Sequence, residues 1–303
     1  MPQFSSQHAE RLLSEWLAQQ VCVEAMRPLS GGMVNAVLHV EFDHHPGRAV
    51  LKVQPASEAR RYFPPEYAQL RHLRARGFPV PEPYFLHHAD RETPFDVLAL
   101  EYWDATSMEH VRLSPRERDR VEREMAETLL ALHAHQRATY GAVDEPGNPS
   151  WAKEFAARVR PRYENIAGKI SAVTFQQIGT ILDHFEIIFT DAGPPKLVHG
   201  DIWATNVMLE RRADGWHLRG FVDPGALYAD VEYELAYLQV FNSAGETFFE
   251  AYTASRPLRE GYALRRAAYW LNTMIIHVDH FGDQHYRENT AHLARQLVDA
   301  LGL

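Results

Sequence analysis

The stretch that decides the fold is LVHGDIWATNVMLERRADGWHLRGFVDPG, which runs from Leu197 to Gly225. NVMLE and WHLRGFVD have the apolar or alternating patterns of two β-strands, and Asp214-Gly215 between them is a favoured hairpin turn. A hairpin centred on that dipeptide pairs Asn206 with Asp223 at its open end. Asp201 lies one short loop before Asn206. The stretch therefore predicts two carboxylates and one amide gathered at one point.

A cluster of hard oxygen ligands is typical of a magnesium site, because Mg²⁺ takes few protein ligands and completes its shell with water and phosphate oxygens. Each of these residues alone is better explained as a turn former or a loop cap. Their common position at the mouth of one hairpin favours the metal site. We therefore predict a magnesium site formed from Asp201, Asn206 and Asp223.

The composition limits the classes of protein to consider. The chain has 303 residues, a formal net charge of −9 and a single cysteine, Cys22. Its length exceeds that of one ordinary core, so two domains or lobes are expected. The negative charge argues against a nucleic-acid binder, and no apolar run is long enough for a membrane span. A lone cysteine forms no internal disulfide, and the first residues do not resemble a secretory signal, so we expect a cytoplasmic protein.

The character of the sequence changes near residue 103. Residues 1–102 begin with an amphipathic helix and then read as β-strands with one helix, Glu66–Gly77. Residues 103–303 read as helical, with the hairpin as an interruption. The predicted fold is therefore α+β with two lobes, a small β-rich lobe over 1–102 and a larger helical lobe over 103–303. The predicted helices of the second lobe are Ser114–His135, Trp151–Ile166, Ala172–Phe189, Val231–Phe241, Gly261–Phe281 and Glu288–Leu301.

The decisive stretch resembles the catalytic signature of the protein-kinase-like fold, H-R-D-x-x-x-x-N followed by D-F-G. His199-Gly200-Asp201 and Asn206 keep the spacing of that signature, and Asp223-Pro224-Gly225 stands where D-F-G is expected. The resemblance implies that Asp201 accepts the proton of the attacking hydroxyl. It also implies ATP and Mg²⁺ as cofactors, with Asn206 and Asp223 as the magnesium ligands.

The first lobe carries the other parts of the same template. AVLK, which ends at Lys52, resembles the strand whose lysine holds the nucleotide phosphates. Glu66 is the expected ion-pair partner of Lys52, with Glu58 as the alternative. The resemblance further implies that the adenine pairs with the backbone near Glu101 and Trp103. The loop expected to cover the phosphates contains Ser30, Gly31 and Gly32.

The His-Gly-Asp form and three longer stretches resemble the fructosamine (ketosamine) kinase family of the aminoglycoside phosphotransferase superfamily. The stretches are LVHGDIWATN, DPGALYADVEYELA and IIHVDHFG, and the likeness covers nearly the whole chain. It implies transfer of the γ-phosphoryl group of ATP to a hydroxyl of a ketosamine. One stretch departs from the family pattern: an Asn/Gly-rich segment is shortened here to GNPSW, which leaves the identity of the acceptor open.

The acceptor is expected to be a small sugar amine. Trp203, two residues after the predicted base, could stack on a sugar face or on a cationic amine. Asp230, Glu232 and Glu234 follow the metal site and could attract the amine. Asp279 on a later helix is a further candidate. The alternative for Glu232 and Glu234 is that they only solubilise their helix.

Three other functions compete with this one. A protein kinase is disfavoured because only six residues separate Asp223 from Asp230, which leaves no room for an activation segment. An aminoglycoside or choline-type kinase differs only in its acceptor. An inactive nucleotide-binding module is disfavoured because every catalytic position is filled.

Overall fold

The computed structural model describes residues 3–29, 36–58 and 62–303. Two compact units share the chain. The first contains the segments 1–111, 205–214 and 219–224, and the second contains 112–204, 215–218 and 225–303. A boundary at residue 102 would give two continuous segments. The β-rich unit also contains 205–214 and 219–224, which belong to the later hairpin.

A five-stranded antiparallel sheet forms the body of the first unit, with the strand order β1-β2-β3-β5-β4. Its strands are β1 (Val23–Pro28), β2 (Ala36–Phe42), β3 (Arg48–Pro55), β4 (Pro83–His87) and β5 (Phe95–Glu101). The helices of this unit are α1 (Ser6–Leu17) and α2 (Phe63–Arg74). The predicted helix at Glu66–Gly77 therefore starts earlier, at the Phe-Pro-Pro that opens α2.

The central strand β3 determines where Lys52 points. Leu51 and Val53 are buried in a core that also contains Leu12 and Leu13 of α1. Successive side chains of a strand point to opposite faces of the sheet. Lys52 therefore lies on the face away from α1, beside Leu98 of β5.

The second unit is mainly helical, as predicted. An apolar cluster in this unit contains Trp151, Phe155, Tyr269 and Leu297, all buried. Its helices are α3 (Pro115–Leu132), α4 (Trp151–Asn165), α5 (Ala172–Asp183), α6 (Phe185–Ile188), α7 (Val231–Val240), α8 (Glu246–Ser255), α9 (Tyr262–His280) and α10 (Gln284–Leu301). A capping box is present at the start of α3, where Ser114 and Glu117 bond each other's backbone.

Two helix predictions for this unit need correction. The segment predicted as one helix over 172–189 is divided into α5 and α6, with a break at His184. Helix α8 was not predicted. It begins after Gly245, which provides no side-chain cap, so its start carries no strong sequence signal. Among the helices in the described part of the chain, none is long and apolar enough to cross a membrane.

Short strands complete the fold. In sheet order, β7 (Gly141–Ala142), β11 (Leu227–Ala229) and β8 (Lys196–Val198) pair in the second unit. In the first unit, β9 (Val207–Arg212) pairs with β6 (Thr106–Ser107), and Thr106 lies opposite Leu209. Strand β10 (Gly215–Phe221) follows β9 along the chain.

The turn of the hairpin is not the predicted one. Its two residues are Ala213 and Asp214, because Gly215 already belongs to β10. A Cβ on Gly215 would lie 2.7 Å from Oε1 of Glu117, so this glycine leaves space for a carboxylate rather than forming the turn. At the open end, the N–H of Val222 donates to the carbonyl of Asn206 at 3.0 Å. The backbone partner of Asn206 is thus one residue before the predicted Asp223.

Candidate active site

A lysine between two carboxylates is the central feature of the first unit. Nζ of Lys52 lies 2.7 Å from Oε1 of Glu66 and 2.5 Å from Oδ1 of Asp223. The predicted Lys52–Glu66 ion pair is therefore confirmed, while Glu58, the alternative partner, is exposed. Strand β3 provides the lysine and the first turn of α2 provides Glu66.

The positive charge of Lys52 is stabilised by its two carboxylate partners. Burial alone lowers the pKa of Lys52, but the carboxylates of Asp223 and Glu66 outweigh it and raise that pKa above its ordinary value. Burial raises the pKa of Glu66, and the Lys52 cation opposes that shift. Lys52 therefore carries its positive charge throughout the neutral range.

The same lysine lines a cavity of about 580 Å³ within the first unit. This volume is in the range of small-molecule and cofactor sites. Its apolar wall includes Val37, Val50, Leu100, Met208 and Val222, and its polar lining includes Lys52, Glu101, Asn206 and Asp223. An apolar slot beside a cation matches the two ends of a nucleotide, the base and the phosphates.

Trp103 also lines this cavity and is buried. The guanidinium of Arg219 lies 4.5 Å from the centre of its ring, in a cation–π contact. Glu101 and Trp103, whose backbone is predicted to pair with the adenine, therefore both line this cavity. Ser30, Gly31 and Gly32, the predicted phosphate loop, lie outside the described residues.

Asn206 and Asp223 contribute polar side chains to one cavity. Asn206 is buried, and Asp223 is half exposed with a left-handed backbone at φ 54°. Non-glycine residues adopt this conformation infrequently, and Asp is among those that tolerate it best. In the described ranges, no group of three or more His, Cys, Asp or Glu could hold a metal ion. One amide and one carboxylate still fit Mg²⁺, which obtains its remaining ligands from phosphate and water.

The His199-Gly200-Asp201 loop belongs to the second unit and has a tightly determined backbone. Gly200 has φ 85°, and a Cβ there would lie 2.3 Å from the carbonyl oxygen of Gly225. The N–H of Gly225 donates to the carbonyl of His199 at 2.9 Å. Glycine is therefore required at position 200 both for its conformation and for clearance.

The buried carboxylate of Glu234, on α7, anchors the backbone of this loop. Oε1 of Glu234 accepts a hydrogen bond from the N–H of Gly200 at 2.6 Å. Its other oxygen lies 2.8 Å from Nε2 of His133, and Nδ1 of His133 lies 2.6 Å from the hydroxyl of Tyr252. Glu234, which was predicted as a candidate to attract the amine, is instead buried and bonded to this loop, a role that the sequence did not predict.

The predicted base, Asp201, is half-buried and contacts the same helix. The hydroxyl of Tyr237 donates to Oδ1 of Asp201 at 2.5 Å. The backbone N–H of Asp201 bonds Nδ1 of His199 at 3.3 Å. Sequence reasoning missed this role of Tyr237, although its position three residues after Glu234 places both on one face of α7.

Comparison with known proteins decides the family. Residues 5–300 match the family model described as fructosamine kinase. The chain belongs to the fructosamine kinase family. It is therefore an ATP-dependent phosphotransferase with an alcohol group as acceptor, and an aminoglycoside phosphotransferase is not favoured.

Relatives of this kinase cover most of its length. The mouse ketosamine-3-kinase is 27% identical over 285 residues, which are 84% of this chain and 90% of the mouse protein. A protein of Escherichia coli strain K12, provisionally named a ketoamine kinase, is 26% identical over 97% of this chain and 98% of its own. A similarly named Synechocystis protein aligns over a shorter region, 57% of this chain and 61% of its own length, at 29% identity.

Solved structures show the same fold. The kinase superposes on a provisionally named fructosamine-3-kinase of Haemophilus somnus with a TM-score of 0.77, 19% identity and 96% of each chain covered. A counterpart from Thermobifida fusca gives a TM-score of 0.76 and 22% identity over 97% of this chain and 100% of that chain. The protein-kinase-like two-lobed fold is thereby confirmed.

The predicted role of Asp230 and Glu232 in attracting an amine does not agree with their surroundings. Both are buried in the kinase, with side chains 0% and 2% exposed. Arg259 lies 2.6 Å from Asp230, and Arg265 lies 2.6 Å from Glu232. Burial raises the pKa of Asp230 and Arg259 opposes that shift. These carboxylates are already neutralised by arginines, which leaves them unsuited to hold an amine.

Asp279 and Trp203, the other residues predicted to contact the acceptor, have different surroundings. Asp279 pairs with Nζ of Lys169 at 2.7 Å, so its charge also has a partner within the kinase. Trp203 is half-buried, and its ring centre lies 6.2 Å from that of Phe241. Phe241 in turn lies 5.3 Å from the ring of His277. Trp203 thus belongs to a partly exposed aromatic group that a sugar face could contact.

Proposed function

We propose that this kinase transfers the γ-phosphoryl group of ATP to a hydroxyl of a ketosamine, such as a fructosamine or a ribulosamine. The observation that carries the proposal is the contact of Lys52 with both Glu66 and Asp223 beside a cavity of nucleotide size. In phosphoryl transfer a lysine placed in this way holds the phosphates. Family membership indicates the acceptor class.

Residues 1–102 would form the nucleotide lobe. Lys52, oriented by Glu66, would hold the α- and β-phosphates, and the backbone of Ser30, Gly31 and Gly32 would cover them. The backbone of Glu101 and Trp103 would pair with the adenine. The apolar wall of the cavity would exclude water from the base and so strengthen these hydrogen bonds.

Asn206 and Asp223 would hold Mg²⁺, which when bound neutralises charge on the phosphates and aligns the γ-phosphoryl group. The geometry supports this because both residues line the cavity that contains Lys52. Residues 103–303 would provide the remaining parts of the reaction, including the loop that carries Asp201.

Asp201 would act as the base. Its carboxylate takes the proton of the acceptor hydroxyl, the hydroxyl oxygen bonds the γ-phosphorus, and the bond between that phosphorus and ADP breaks. ADP leaves with the electron pair. Because phosphoryl transfer needs little covalent assistance from a protein, most of the rate enhancement would come from positioning and charge stabilisation.

The acceptor would lie against Trp203. The ring can stack on a sugar face or hold a cationic amine by a cation–π contact. This aromatic contact replaces the acidic one expected from Asp230 and Glu232. The acceptor would be a small molecule, and the supply of ATP together with the single cysteine favours the cytoplasm.

The test compares a fructosamine with fructose, which lacks the amine, at saturating Mg-ATP. We expect substrate-dependent ADP release and a new phosphate ester in the ³¹P spectrum with the fructosamine, and a kcat/KM at least about tenfold lower with fructose. Equal kcat/KM for the two sugars would contradict amine recognition. Turnover of an aminoglycoside such as kanamycin but of neither sugar would contradict the acceptor class.

A further inference from the structure

Helix α7 contacts the catalytic loop at two residues that lie one turn apart. Glu234 accepts the backbone N–H of Gly200 at 2.6 Å, and Tyr237 donates its hydroxyl to Oδ1 of Asp201 at 2.5 Å. Residues three positions apart share one face of a helix. A single helix face therefore determines both the course of the loop and the orientation of the carboxylate.

We propose that Tyr237 is a positioning residue for Asp201. Its hydroxyl holds Oδ1 and thereby fixes the orientation in which the carboxylate meets the acceptor hydroxyl. Tyr237 itself neither gains nor loses a proton in this step. The inference rests on the proposed function, which makes Asp201 the base.

The phenol of Tyr237 is suited to a permanent donor role. Burial raises its pKa above the ordinary value, and the adjacent Asp201 carboxylate raises it further. The hydroxyl therefore keeps its proton at neutral pH and donates it in a hydrogen bond rather than competing as a base. The ring of Phe241 meets the ring of Tyr237 edge-on at 5.0 Å, which limits movement of the phenol.

The helix that carries Tyr237 is itself held in place. At its N-terminus, Asp230 pairs with Arg259 at 2.6 Å. In its middle, Nε1 of Trp270 donates to the carbonyl of Ala236 at 2.7 Å. Rotation of α7 would break these bonds, so the hydroxyl of Tyr237 occupies a determined position relative to the loop.

A fixed donor matters because the terminal torsion of an aspartate is soft. This torsion has a broad distribution, so an unrestrained carboxylate presents its oxygens in many orientations. Small errors in orientation are costly when a reaction depends on the alignment of the attacking group. Tyr237 removes this freedom at the one carboxylate that must face the acceptor.

The test is a double-mutant cycle on kcat with Tyr237→Phe, Asp201→Ala and the double variant, at saturating Mg-ATP and fructosamine. Loss of a hydrogen bond to a charged group should lower kcat of Tyr237→Phe roughly 10- to 100-fold, with the KM of ATP within about twofold. In the Asp201→Ala background the same change should have no further effect, because residues that act as a unit are not additive.

Tyr262→Phe is the matched control. It also removes a tyrosine hydroxyl bonded to α7, since Tyr262 donates to Gln239 at 2.8 Å. We expect its kcat within about twofold of the parent. A parental kcat for Tyr237→Phe, a higher one, or the same fold loss in both backgrounds would overturn the proposal.

A second cycle keeps the test independent of the acceptor. Unfolding in urea of the parent, Tyr237→Phe, Asp201→Ala and the double variant measures the coupling between the two side chains. If the parent phosphorylates no fructosamine, the proposed function has failed. A coupling in the urea cycle then still supports the positioning contact, and additive effects overturn it.

Discussion

Oε1 of Glu66 lies 2.7 Å from Nζ of Lys52, and both side chains are only 13% exposed. An ion pair removed from solvent to this extent orients the ammonium group more strictly than a surface pair does. Its consequence is a lysine that is already aimed into the cavity before any nucleotide arrives.

Glu66→Gln should therefore weaken the use of ATP. We expect kcat/KM for ATP to fall roughly 10- to 100-fold, the range for loss of a hydrogen bond between charged groups. Steady-state kinetics with varied ATP measures the effect. Glu58→Gln, the same change at an exposed position of the same unit, is the control and should leave kcat/KM unchanged. Equal losses in the two variants would refute the assigned pairing.

Asp201→Asn should separate chemistry from nucleotide binding. General base catalysis contributes about 10²- to 10⁴-fold, so kcat should fall by that factor. The affinity for ATP, measured by calorimetry, should change by less than about threefold, because the base acts on the acceptor. A variant that keeps more than about a tenth of the parental kcat would show that another group takes the proton.

Asp223→Asn should remove the effect of magnesium on stability. A ligand at 100 times its Kd stabilises the native state by about 2.7 kcal/mol. We expect Mg-ATP to raise the Tm of the parent clearly more than ATP with EDTA does, and the two ATP samples to coincide for the variant. The Tm without ligand shows whether the lost contact with Lys52 itself destabilises the fold. A parental Tm that is indifferent to magnesium would exclude the proposed site.

Glu232→Gln should affect stability rather than substrate binding. The change leaves the buried Arg265 without its 2.6 Å carboxylate partner, and breaking a buried pair costs about 3–5 kcal/mol. Urea unfolding measures this loss, and the KM of the fructosamine should stay within about twofold. Glu186→Gln, a surface change 70% exposed, should leave the unfolding free energy unchanged. A raised KM at parental stability would restore the substrate role of Glu232.

Contacts that depend on local pattern were predictable from the sequence. The resemblance to the kinase template, with Lys52 on a predicted strand and Glu66 at the start of the predicted helix of that lobe, was enough to pair Lys52 with Glu66. The motif around Asp201 was recognisable because its spacing is fixed by one loop and one hairpin. The shifted turn at Ala213 and Asp214 was not predictable, since it depends on Glu117, which is far from Gly215 in sequence.

The roles of residues at α7 could not be predicted, because they depend on partners that are distant in sequence. Asp230 and Glu232 were predicted to attract an amine, because the arginines that pair with them lie 29 and 33 residues further along the chain. Likewise, Tyr237 reaches Asp201 across 36 residues. The helical periodicity places such side chains on one face of the helix, but it does not show which residues that face contacts.

The three-segment composition of the first unit has a consequence for synthesis on the ribosome. Residues 1–111 leave the ribosome well before 205–214 and 219–224, which belong to the same unit. Until then the nascent β-rich segment lacks Met208 and Val222, two apolar residues of its cavity wall, and Lys52 lacks its contact with Asp223. The cavity beside Lys52 can therefore be completed only after 112–204 of the helical unit have been translated, and expression of 1–111 alone would yield an unfinished cavity.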